Sequence, residues 1–97
     1  MSYSFSVTAP SKGAAIQDAK DQMAAVAKGQ PVHARDQCLV DTSIAAAVAL
    51  LADDADSDVG IAVCGSLGWD VAAESGKEKL TTVTVSITAW LSARPVR

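Results

Sequence analysis

The stretch VGIAVCGSLGWDV, residues 59–71, alternates along its whole length. Val59, Ile61, Val63, Leu67, Trp69 and Val71 fall on one side, with Gly65 completing the series. Gly60, Ala62, Cys64, Ser66, Gly68 and Asp70 fall on the other. A period of two marks a strand with one buried face. The second face is almost bare and carries no charge before Asp70. The first side demands a covering layer, and the second poses the question of what it meets.

The cover is legible on the N-terminal side of this strand. Between Ser11 and Lys28, the residues Ile16, Ala19, Met23, Val26 and Ala27 recur at three- and four-residue spacing, the stripe of an amphipathic helix. Ser11 has the chemistry of an N-cap, Gly29 is the expected C-terminal stop, and Pro31 follows as a breaker. A second helix is expected from about residue 34 to 52, where the alanine-rich run favours helix and Val40, Ile44, Ala47 and Leu51 form the stripe. Leu39 and Leu50 widen that stripe, and DDADSD, residues 53–58, ends the helix as a polar loop.

Two further strands flank these elements. SYSFSVTA, residues 2–9, sets Tyr3, Phe5 and Val7 against Ser2, Ser4, Ser6 and Thr8. LTTVTVSITAWL, residues 80–91, sets Val83, Val85, Ile87, Ala89 and Leu91 against Thr82, Thr84, Ser86, Thr88 and Trp90, with the strongest β character in the chain. The polar link AAESGKEK, centred near Gly76, joins the two long strands as an antiparallel hairpin. The order is therefore β-α-α-β-β over residues 1–97 as one domain. Apolar faces and stripes of this kind close into an α+β two-layer sandwich: a three-stranded sheet with two helices packed on one face. Strand order is left open by the pattern. Gly60, Gly65 and Gly68 make the second strand the poorer centre, so the last strand is expected there.

Composition excludes several classes. The hydrophobic content of 49% is enough for a core, and aromatics at 4% require it to be built from small aliphatic residues. A net charge of −3 with no Lys/Arg cluster, Arg94 and Arg97 being the nearest thing to one, argues against nucleic-acid binding. The N-terminus lacks a signal-peptide pattern, and the longest apolar run, residues 44–52, is too short to span a bilayer. The expectation is a soluble protein made in the cytoplasm, with no membrane partner. Cys38 lies opposite the apolar stripe of its helix and Cys64 lies on the bare strand face, so both are expected as free thiols.

No motif supports catalysis. Asp54, Asp56 and Asp58 resemble the opening of an EF-hand loop, but Val59 stands where that loop needs Gly and Gly65 where it needs Glu. A solvated loop is the preferred reading. His33, the single histidine, suits a capping or surface role at the start of the second helix; Cys38 lies five residues on, but a catalytic pair would need a third member that is not there. CGSLG, residues 64–68, lacks the first Gly of a nucleophile elbow and sits inside a strand. No catalytic residue, metal ligand, cofactor or small-molecule substrate is expected.

The remaining signal is the outer face of the sheet. It gathers Ser4, Ser6, Ala62, Cys64, Ser66, Thr82, Thr84, Ser86, Thr88 and Trp90, none of them charged. Solvated sheet faces ordinarily carry Lys, Glu or Arg, which also oppose association. Small hydroxyl side chains let another surface come close and still satisfy its hydrogen bonds. Trp90 is the expected anchor, since aromatic residues are enriched in interface cores.

The Ser-alternating first strand, QPVHARD at the second helix, LLADDADSDVGIAVCGSLGW and the closing TVTVSITAWL together resemble small proteins encoded by tailed bacteriophages. The resemblance implies a virion part, such as a capsid or tail accessory protein, or an early protein that binds a host factor. The first is the leading expectation: a non-enzymatic structural protein located in the virion, with itself or other virion proteins as partners. The alternative is a small acidic anti-defence inhibitor whose Asp53, Asp54, Asp56 and Asp58 mimic phosphates against a host enzyme or nuclease complex.

Overall fold

The computed structural model describes residues 1–30, 32–71 and 76–94. Five elements follow in the expected order: β1 (Ser2–Ala9), α1 (Lys12–Val26), α2 (Ala34–Ala49), β2 (Ser57–Val71) and β3 (Glu78–Ala93). They form a three-stranded antiparallel sheet with two helices packed against it. The expected breaker Pro31 and part of the predicted link, residues 72–75, lie outside the described residues, as does Arg97.

Both helices follow from their sequence. Ser11 caps α1 by accepting the Ala14 N–H at 3.2 Å, and Ala15, Ala19 and Met23, four residues apart, are its buried row. The turn after α1 carries Gly29 at φ +77, a left-handed conformation that glycine reaches without strain. In α2 the buried row is Asp36, Val40, Ile44 and Val48. This helix ends at Ala49 rather than near 52, and Leu39 and Leu50 do not join its stripe: they are 53% and 88% exposed. Ala47 and Leu51 are only half-buried.

The sheet order β1-β2-β3 corrects the expected centre: the glycine-bearing β2 is the central strand. Side chains from its neighbours fill the space above its glycines. Tyr3, opposite Gly65, lays its phenol ring there on the helix side, and Trp90, opposite Gly60, covers that glycine on the outer side. Val83 lies over Gly68, where an added Cβ would come within 2.8 Å of its methyl. Glycine in the middle of a strand leaves a gap that a cross-strand aromatic can fill. Low propensity at these positions is thereby converted into room for rings.

A second correction concerns the phase of β3. The register shifts between Ser66, opposite Thr84, and Leu67, opposite Thr82, so Val83 is an extra residue bulged out of the ladder. Val83, expected on the core side, is 62% exposed. Thr82, expected on the outer face, instead shares the helix side with buried Leu67, because directly opposed residues share a face. Beyond the bulge Leu80 enters the core, and before it Val85, Ile87, Ala89 and Leu91 pack against that core as expected.

The hairpin of β2 and β3 is longer than the helices that cover it. Principal extents of 57 × 19 × 17 Å describe a rod, and the radius of gyration of 15.3 Å exceeds the about 12.5 Å of a compact chain this long. Trp69 and Val71, although in phase with the core residues, are exposed on this overhanging ribbon. The opposite end is tied together by Arg94, which donates to Asp58 Oδ1 at 2.7 Å and to the carbonyls of Ala55 and Pro10.

Candidate interaction face

The sheet side away from the helices is built as four cross-strand rows. Ser2, Ser66 and Thr84 form one, and Ser4, Cys64 and Ser86 the next. Ser6, Ala62 and Thr88 follow, and Thr8, Gly60 and Trp90 complete the series. The structure thus brings Ser4, Ser6, Ala62, Cys64, Ser66, Thr84, Ser86, Thr88 and Trp90 onto one surface and removes Thr82 from it. No charged side chain stands in these rows. Charges return only at the two ends, with Asp70 opposite Lys79 towards the hairpin tip and the Asp58–Arg94 pair at the other.

The surface is polar at close range. Ser66 Oγ and Thr84 Oγ1 lie 3.2 Å apart in a hydrogen bond. Two shallow grooves cross the face, one bounded by Ser2, Ser66, Thr84 and Ser86, the other by Ser6, Ala62, Cys64 and Thr88. Trp90 is 38% exposed because one side of its ring lies against Gly60. It contributes an edge and one ring face rather than a projecting anchor. Beneath the rows, burial pushes the Tyr3 phenol above its usual pKa, with a smaller electrostatic contribution from neighbouring Cys64, and its hydroxyl lacks a hydrogen-bond partner.

The other sequence candidates are placed elsewhere. His33 stands at the N-cap position of α2 without a side-chain capping bond, its backbone N–H donates to Leu80 O at 3.0 Å, and its Nε2 is buried without a partner. Cys38 approaches Thr42 Oγ1 at 4.0 Å on the exposed side of α2. Both cysteines are free and exposed, so peptide mapping under non-reducing conditions is expected to recover Cys38 and Cys64 unlinked. A Cys38–Cys64 disulfide would contradict their placement on opposite layers. Sequence reasoning missed buried Asp36, whose Oδ2 lacks a hydrogen-bond partner; its place four residues before Val40 was the signal.

The aspartate loop is an internally braced turn. Asp54 accepts from the Asp56 N–H at 2.9 Å and the Ser57 hydroxyl at 2.7 Å, while Asp53 pairs with Lys12 at 2.7 Å. No group of three or more His, Cys, Asp or Glu side chains able to hold a metal occurs among the described residues. The Ser57 hydrogen bond, then the Asp56 amide, hold Asp54 below its ordinary value of 3.8, and the Lys12 hydrogen bond and charge do the same for Asp53. A carboxyl with a depressed folded pKa stabilises above its unfolded value and loses that contribution as pH falls through the folded one. Carboxyl-detected NMR titration of Ser57→Ala is therefore expected to move the Asp54 midpoint upward and leave Asp53 in place. An unmoved Asp54 would show that Ser57 does not hold it.

No protein-family model matches the chain, and neither does any characterised protein or solved structure. Among the described residues no helix is long and apolar enough to cross a membrane.

Proposed function

We propose that this protein is a non-enzymatic structural or accessory component that works through protein–protein contacts on its outer sheet face, in multiple copies. The supporting observation is the set of four uncharged rows, open on the side opposite the helices. A face without ions avoids the desolvation penalty that opposes burial of charged surface. Its hydroxyls can exchange water for partner hydrogen bonds without leaving donors unmet. Together with the resemblance to small tailed-phage proteins, this reading assigns the chain to a capsid or tail assembly, with other copies or other virion proteins as partners.

The deciding experiment is quantitative mass spectrometry of purified particles. The expected result is this chain in several copies per particle. Its absence from particles that are otherwise complete would overturn the reading.

A further inference from the structure

The long edge of the sheet differs from both its faces. β3 has β2 on one side and no described strand on the other, apart from the isolated contact of Val32 with Leu80 and the His33 N–H bond to the Leu80 carbonyl. The lane beside residues 82–93 is otherwise open among the described residues. That run of twelve contains no Lys, Arg, Asp, Glu or Pro. Natural edge strands are kept short or guarded by such residues, because unpaired N–H and C=O groups are a template for another strand. The other edge, β1, has eight residues and is followed by Pro10.

The ladder says which groups are free. Leu67, whose side chain faces the core, exchanges backbone bonds with Met1 alongside β1 (2.9 and 2.7 Å), so the inward residues of β2 turn their amides that way. The outward residues Ala62 and Cys64 therefore bond Thr88 and Ser86 on β3. Val85, Ile87, Ala89 and Leu91 are left with N–H and C=O directed into the open lane, in line with the Leu80 carbonyl reaching His33. Their side chains are half-buried, and beside them α2 exposes Leu39 and its C-cap residue Leu50, three turns apart on one flank.

We propose that β3 pairs with β3 of a second copy, antiparallel about a two-fold axis near Thr88. Centred there, each strand fills the open lane of the other and stops short of Val32 and His33. Because α2 starts beside Leu80 and ends near the base of the sheet, the two-fold sets α2 against its copy head to tail, bringing the Leu39 end of one beside the Leu50 end of the other. A second copy meets the edge with the same length of uncharged strand and closes the contact, as an isologous interface must. The product is a continuous six-stranded sheet that doubles the uncharged face, and it forms independently of whatever that face binds.

Amide hydrogen exchange with mass measurement in solution tests this. The wild-type chain is expected at twice its 9.9 kDa mass, with the Val85, Ile87, Ala89 and Leu91 amides protected like those of Ser86 and Thr88. Alternating protection, with those four amides exchanging freely, overturns the proposal, as does a monomer at millimolar concentration. Ala89→Pro removes one N–H from the open lane while sparing the β2 ladder, a position where an edge strand tolerates proline. It is expected to be folded by circular dichroism and to have lost the double-mass species; a folded Ala89→Pro dimer overturns the proposal. Should that variant fail to fold, the exchange pattern and mass of the wild-type chain decide by themselves. Exchange at these amides reports the edge alone, so its outcome is independent of particle incorporation.

Discussion

Replacing Gly65 with alanine is expected to lower stability by about 3 kcal/mol, the upper end of overpacking in a filled core. A methyl there meets the backbone carbonyl of Thr84 and comes within 2.8 Å of the Tyr3 hydroxyl. Neither neighbour yields readily: Thr84 is fixed by the ladder beside the bulge, and the Tyr3 ring is buried in the core cluster and stacked on Phe5. For a domain of this size the loss corresponds to a fall of about 15 °C in melting temperature. Gly13 provides the opposite control. It lies in α1 with open space around it, so Gly13→Ala is expected to stabilise by about 0.5–1 kcal/mol. Thermal or urea unfolding of both variants checks the pair; an unchanged midpoint for Gly65→Ala would mean that Tyr3 does not fill the space above the central strand.

The double substitution Thr84→Lys/Ser86→Lys is expected to leave the fold intact and stop assembly through the outer face. Both side chains are exposed on the side opposite the core, so circular dichroism and melting should change little. A contact across those rows would then bury two to four ammonium groups per pair of molecules, depending on whether one face or both take part, each without a partner. Even one unpaired buried charge costs several kcal/mol, a loss of at least about a hundredfold in association. Light scattering should show the variant halted at the species that edge pairing supports, and it should be missing from particles. Normal assembly of the variant would make the face a solvated surface.

Much of the architecture was legible because each element keeps one period. The alternation in residues 59–71 and the three- and four-residue spacing of apolar residues in α1 and α2 each predicted an element and most of its buried side: Ala19, Met23, Val40 and Ile44 are buried, whereas Ala15 and Val48 take places that the stripes gave to Ile16, Ala47 and Leu51. The order of strands was not legible, because propensity scores glycine alone. The rings that fill its space, Tyr3 and Trp90, belong to strands whose register is set only on folding. The bulge does leave a mark in the sequence. Leu80 and Val85 both face the core although five residues apart, an odd spacing that strict alternation forbids. Alternation carried unbroken from Leu91 back through Val83 places Thr82 on the wrong side of the bulge. The nine remaining candidates for the outer face came together because all lie on unbroken stretches of their strands.

Cys64 stands at the centre of the uncharged rows and Cys38 on the exposed side of α2, so the protein carries its own reporter and its own reference. Thiol alkylation, followed residue by residue by mass spectrometry in the assembled protein and in the Thr84→Lys/Ser86→Lys variant, measures directly whether the face is covered. The expected result is Cys64 protected at least tenfold in the assembly and released in the variant, with Cys38 reacting equally in both. Equal reaction of Cys64 in the two would contradict a contact on this face.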